Sequence, residues 1–274
     1  MERKFAKFTS KKRILSMLSV DFRRMFTMPL LYITLGICLV VPILIFVMTS
    51  MMEGSPTTDQ YGNIILDEFG NPVLMEGFKN LWQMLGATSN AGMSMSMDLV
   101  SMCNINMMFM GITVIVSIFI AQDFRSGYAK HLFTVRSSKV DYVVSKTLVL
   151  FICAQLMVIA FVIGMLLGGA IAGISFEMVD VDITNIIMCV LTKMAVTLIF
   201  VSIFVLMSVI GKSRTWLSLV GGLAVSMLLF MMIPIISPLD SNIGNVLIAL
   251  IGGMLFAIGL GAVSNQILKK TSLV

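Results

Sequence analysis

The stretch AQDFRSGYAKHLFTVRSSKVDYVVSK, residues 121–146, lies between two long apolar runs. It crowds Asp123, Arg125, Lys130, Arg136, Lys139, Asp141 and Lys146 into one interval of a chain that otherwise avoids charge. The 274-residue chain is 58% hydrophobic and 12% charged, with a mean hydropathy of +1.01. Soluble domains carry about 25% charged residues, so the interval reads as a short connection between two segments surrounded by lipid.

Working outward, six runs are long and apolar enough to span ~30 Å of hydrocarbon as helices. They fall at roughly 28–50, 102–121, 143–170, 184–210, 216–237 and 244–266, with edges uncertain by about 2–4 residues. Helices satisfy their own backbone groups in lipid, and uniform apolarity without alternation argues against a β-barrel. The expected fold is therefore an all-α membrane domain of six transmembrane helices, residues 28–266. The first run is too long for a cleaved leader and follows a basic segment without a small-residue cleavage site.

Charge sets the expected orientation. Arg3, Lys4, Lys7, Lys11, Lys12, Arg13, Arg23 and Arg24 precede the first run, and Lys269 and Lys270 follow the last. Arg125, Lys130, Arg136, Lys139, Lys212 and Arg214 occupy the second and fourth connections. The other connections hold Glu53, Asp59, Asp67, Glu68, Glu76, Asp98, Glu177, Asp180, Asp182 and Asp240 against Lys79 alone. Lysine and arginine gather on the cytoplasmic side, so both termini, the segment 122–142 and the tail 267–274 are expected inside, and the loop 51–101 outside. The pI near 9.1 is then a topology signal. A nucleic-acid partner is not expected, because the basic residues border lipid and lack interleaved aromatics.

Residues 1–27 combine cations with Ile14, Leu18, Phe22 and Met25 at helical spacing. They read as an amphipathic helix in the headgroup layer, its cations near anionic lipid. In the outer loop, YGNIILDEFGNPVL has β-prone runs broken by Gly62-Asn63 and Gly70-Asn71-Pro72. GFKNLWQMLG reads as a short amphipathic helix with Phe78, Leu81, Trp82 and Leu85 on one face. Pairs such as Gly164-xxx-Gly168, Gly169-xxx-Gly173 and Gly253-xxx-Ala257-xxx-Gly261 allow close helix packing.

Catalytic signatures are missing. Gly211-Lys212-Ser213 resembles the end of a phosphate-binding loop, but Leu206 stands where its first glycine belongs. His131 is the only histidine, and Cys38, Cys103, Cys153 and Cys189 form no paired motif. Met93, Met95 and Met97 are soft donors that suit copper(I). With 26 methionines in the chain, adaptable packing explains them better, and no metal or other cofactor is expected in this chain. Lys193, roughly 14 Å inside the fourth run at 1.5 Å per residue, is a candidate for a substrate path. A single lysine is too little for an ion relay. It either snorkels outward or pairs with an acid such as Asp98 or Glu177.

The opening stretch resembles the permease subunits of type 2 ATP-binding-cassette exporters. Their acid, base and glycine after the second span are matched by Asp123, Arg125 and Gly127. Leu132, Phe133, Thr134, Ser138, Lys139, Tyr142, Val143, Val144 and Lys146 match the pattern that follows, while Arg136 replaces the usual proline. The lead DFRRMFTMPLL is also similar in style. The resemblance implies a bacterial plasma-membrane permease paired with a second copy or relative. Separate cytosolic ATPase subunits would bind ATP and Mg and carry out the hydrolysis. Asp123, Arg125, Gly127, Lys130, His131, Arg136 and Lys139 would form the coupling region. The expected cargo is hydrophobic or amphipathic, a peptide among the candidates. The alternatives are a non-transporting sensor or scaffold, a secondary carrier, and export of copper or lipid.

Overall fold

A computed structural model describes residues 10–58, 61, 63–67, 69–75, 77–88, 103–135, 139–178, 181–230 and 232–270. It is 78% helical and has no strand among the described residues. Helix α1 spans Ser10–Phe26 and α2 spans Pro29–Met52. A 3-10 turn, Ile105–Met107, leads into α3, Met108–Arg125, and α4 is the short Tyr128–Val135. The long α5, Lys139–Ala172, and α6, Ile183–Gly211, are followed by α7, Thr215–Phe230, α8, Ile233–Ile236, and α9, Ile243–Lys270.

Five of these units are long and apolar enough to cross a membrane: Pro29–Met52, Ile105–Arg125, Lys139–Ala172, Ile183–Gly211 and Ile243–Lys270. The chain is a membrane protein by that measure. The run expected at 216–237 is not one helix. Its 16-residue α7 is about 24 Å long at 1.5 Å per residue. Pro234 then lies in the first turn of the separate α8, where its ring and missing N–H oppose continuation of the preceding helix.

Local chemistry sets the breaks. Pro29 opens α2, a position where its absent N–H costs nothing. Gly127, at φ +73°, turns the chain between α3 and α4, a conformation glycine adopts without strain. At the end of α5, Gly173 has φ +70° and the Ile174 N–H returns to the Gly169 carbonyl at 3.0 Å.

α5 and α6 form the centre. α5 packs against α2 and α1, and α6 against α9, α3 and α7. The first of the glycine pairs is a seat for α2: a Cβ on Gly164 would lie 2.2 Å from the Leu39 carbonyl oxygen, and one on Gly168 2.8 Å from the Ile43 Cα. Gly253 rests on Leu198, joining α9 to α6. α9 otherwise turns Leu247, Ile248, Ile251, Leu255 and Ile258 outward, as a lipid-facing surface does. Between α3, α6 and α7, buried hydroxyls link Thr113 to Ser226 at 3.2 Å, Ser208 to Ser218 at 2.6 Å and Ser218 to Ser117 at 2.9 Å. Gln155 of α5 donates to Thr197 of α6 at 2.7 Å.

Elements that the charge bias groups together share an end of the bundle. At the basic end, Arg125 reaches the Ser213 carbonyl at 3.0 Å and Lys139 the Leu268 carbonyl. At the acidic end, Asn80 bonds the Glu177 carbonyl, and the Leu239 N–H donates to Ala87 O at 2.8 Å. The acidic end also carries a compact turn structure over 53–75. The backbone N–H of Thr57 donates to Val73 O, that of Val73 to Ile65 O and that of Ile65 to Thr57 O, at 2.7, 2.8 and 2.8 Å. This three-fold closure follows an eight-residue repeat, Asp59-Gln-Tyr-Gly-Asn63 and Asp67-Glu-Phe-Gly-Asn71. The Asp67 carboxylate accepts from Phe69 N and Asn71 N at 2.9 and 2.8 Å. The bond from Asn71 is the main reason its pKa falls below the ordinary 3.8.

Candidate functional site

The most concentrated chemistry outside the apolar core is at the basic end, where α1, α3 and α5 meet. Asp21 sits on the inner face of α1 between buried Met17 and Met25, and is itself fully buried. Lys146, on α5, has its Nζ 2.7 Å from Asp21 Oδ1 and 2.7 Å from Asp123 Oδ2. Arg24, one turn after Asp21, brings Nη2 to 2.6 Å from Asp123 Oδ1 and Nη1 to 3.8 Å from Asp21 Oδ1. The Arg24 to Asp123 contact is one of charge, without aligned hydrogen-bond geometry. Ser145 Oγ donates to Asp21 Oδ2 at 2.7 Å, and Tyr142 Oη to Asp123 Oδ2 at 3.1 Å.

Aromatic rings wall in the cations. Lys146 Nζ is 4.2 Å from the Phe119 ring centroid, and the Arg24 guanidinium 4.2 Å from that of Tyr128. Burial first, and then the Asp21 charge, push the Tyr128 hydroxyl above its usual pKa. Two acids and two bases thus form a neutral set, buried except for the part-exposed Arg24. Removing one member strands a charge in a low-dielectric site, which costs far more than an exposed pair is worth. The cluster locks α1 and, through Tyr128, the start of α4 to the helices behind them.

The residues expected to form a coupling surface divide into two groups. Arg125, Lys130 and His131 are exposed. Asp123 is buried and Gly127 supplies the turn, so neither presents a side chain to a soluble surface. Lys139 is half-buried, over the Phe133 ring and bound to the end of α9. Arg136 lies outside the described residues, as do Met93, Met95 and Met97. Among the described residues no cluster of metal-ligating His, Cys, Asp or Glu occurs.

The chain matches no family model, no curated protein and no solved structure.

Asp21 and Lys146 escaped the site expected from sequence. Of the apolar stripe predicted for α1 through Ile14, Leu18, Phe22 and Met25, only Met25 is fully buried and the rest are half-buried; the buried face runs through Met17, Asp21 and Met25. The available signal was Asp21 itself, the one acid in the basic α1, together with a lysine at the threshold of an apolar run.

A second buried polar group lies near the acidic end. Lys193 does not snorkel outward; it is fully buried, with Nζ 3.0 Å from Asn106 Oδ1 and 3.1 Å from Ser237 Oγ. The Ser237 hydroxyl donates to Ile233 O at 2.9 Å. Glu177 is exposed and makes no ion pair with Lys193, and Asp98 lies outside the described residues.

Proposed function

We propose that this chain is the permease subunit of an ATP-driven exporter in a bacterial plasma membrane. It has six spans, α7 and α8 together making the fifth, and both termini are cytoplasmic. Separate ATPase subunits bind ATP and Mg, and their movement enters the bundle at its basic end. The observation carrying this reading is the buried Asp21–Lys146–Asp123–Arg24 cluster. It ties the amphipathic helix and the α3–α4 corner to the long helix α5, so a push on exposed Arg125, Lys130 and His131 is delivered to the spans as one displacement. Nucleotide would bias the populations of two bundle packings. The uncovered apolar side of α9 suits lipid or a second permease copy, and apolar, methionine-rich spans suit hydrophobic or amphipathic cargo, a peptide included.

Co-expression with a cytosolic ATP-binding-cassette ATPase, sought first in the neighbouring reading frames, tests the reading. The wild-type subunit is expected to co-purify with it and to stimulate hydrolysis. Lys130→Glu and Arg125→Glu together are expected to abolish both; Lys130→Glu alone, which leaves the Arg125 link to Ser213 intact, separates surface contact from bundle damage. Full assembly and stimulation by the double variant would sink the proposal. One observation favours a ligand-sensing alternative: Tyr61 and Phe69, at equivalent places in the repeat, are 80% and 87% exposed. Binding at that loop without any ATPase partner would support it.

A further inference from the structure

Lys193 is the buried charge the proposed coupling does not use. An ammonium in the apolar interior is retained against a penalty of several kcal/mol unless a counter-charge is present, and an intramembrane ionisable group marks a functional site by default. Among the described residues no carboxylate comes within ion-pair distance of it. Both its partners are neutral oxygens, Asn106 Oδ1 and Ser237 Oγ, and these use two of its three N–H donors.

Asn106 provides an independent pointer. It is 1% exposed, its Oδ1 faces Lys193, and its Nδ2 has no hydrogen-bond partner. Nδ2 and Oδ1 belong to the same amide, so this unused donor and the Lys193 ammonium share one buried polar spot. The backbone over this spot is Gly86: a methyl there would sit 4.0 Å from Lys193 Nζ and 3.7 Å from Ser237 O, in ordinary contact.

We propose that Lys193 and Asn106 form a receptor for a small monovalent anion, a halide or the carboxylate of a bound molecule. One cation and one free amide donor match a single negative charge; a phosphate dianion would need more donors. The site consists of this chain's residues alone, so it stands or falls independently of the ATPase partner.

The test uses purified full-length protein in uncharged detergent, with unfolding followed through Trp82 and Trp216. Chloride, bromide and acetate are titrated separately against a buffer of bulky sulfonate, which distinguishes halide from carboxylate. At ten times its dissociation constant, a bound anion raises the folded-to-unfolded ratio about elevenfold, and the unfolding temperature rises with it. Lys193→Met is expected to lose that increment. Asn106→Asp, which places a carboxylate at the ammonium, is expected to match anion-saturated wild type in the anion-poor buffer and to ignore added anion.

Wild type indifferent to all three anions overturns the proposal, as does an increment that survives in Lys193→Met. Asn106→Asp less stable than wild type in the anion-poor buffer does so too. An Asp98→Asn or Asp240→Asn variant that becomes anion-dependent while wild type is not identifies an internal carboxylate as the counter-charge, and is equally fatal.

Discussion

Replacing Lys146 with methionine is the sharpest test of the basic-end cluster. The substitution nearly preserves volume and apolar contact but removes the cation shared by Asp21 and Asp123, both at 2.7 Å. At that distance and an effective dielectric near 20, each contact is worth roughly 6 kcal/mol gross. Desolvation of the three ions cancels much of this, and the measured cost of breaking a buried pair from one side is about 3–5 kcal/mol. Arg24 stays 2.6 Å from Asp123 and 3.8 Å from Asp21, so part of the stranded charge remains neutralised. The expected cost is therefore at the lower end, about 3 kcal/mol. That is on the order of a hundredfold in the docking equilibrium of α1.

Amide hydrogen exchange across Ser10–Phe26 reads this locally and detergent unfolding reads it globally. Protection in α1 should collapse while α6 and α9, which take no part in the cluster, keep theirs. Charge balance supplies the control. Lys146→Met leaves the set at net −1 and Asp21→Asn leaves it at +1, whereas the double variant is neutral again, so it should be more stable than the sum of the singles by at least about 1 kcal/mol. Additive singles, or a Lys146→Met protein within about 0.5 kcal/mol of wild type with α1 still protected, would refute the cluster as a clamp.

Other outcomes follow from the same geometry. Gly164→Ala should destabilise by about 1–3 kcal/mol or more through its collision with α2, while Gly259→Ala, with open space at its Cβ, should be near neutral in detergent unfolding. Gln155→Leu, which removes the bond to Thr197 between α5 and α6, should cost about 0.6–1.7 kcal/mol by the same measurement. The Asp67 turn should be pH-sensitive. Its folded pKa is depressed below 3.8, so its contribution is present above that value and lost as pH falls through the folded pKa. Exchange protection at Phe69 and Asn71 should drop in that acidic window, and Asp67→Asn should show the weakened turn at every pH.

The apolar runs revealed the helices because length and hydropathy are local properties. The expected 184–210 and 244–266 became Ile183–Gly211 and Ile243–Lys270. The third began at Lys139, not 143, because a helix is free to continue past the hydrocarbon edge into charged sequence. The fifth failed as one helix through the backbone effect of Pro234, which a hydropathy window does not register. Within the segment expected to be helical, α1 spans Ser10–Phe26, yet its buried face runs through Met17 and Asp21 as well as the expected Met25. Periodicity rewards apolar residues, and Asp21 becomes an interior residue through Lys146, 125 positions away, and Ser145. The eight-residue repeat was available in the sequence, and its second copy supplies the Asp67 acceptor for Phe69 and Asn71. Its three-fold backbone closure was not, because no single segment forms a strand.

The two buried charge sites are at opposite ends and differ in the one property that separates architecture from function. Asp21, Arg24, Asp123 and Lys146 sum to zero, each charge within reach of an opposite one, so that set needs no outside counter-charge. Lys193 has only neutral partners within the described residues, and beside it Asn106 keeps a donor unused. If the basic end moves the bundle as proposed, packing changes elsewhere, and a site whose charge is unbalanced is the one most sensitive to such a change. Anion affinity at Lys193 should therefore differ between the two packings. Linkage then requires the anion to shift their populations by the same factor. Measured in the Lys146→Met protein, whose basic end is unlocked, the anion-dependent rise in unfolding temperature should differ from that of wild type. An identical rise in both would show that the two ends are uncoupled.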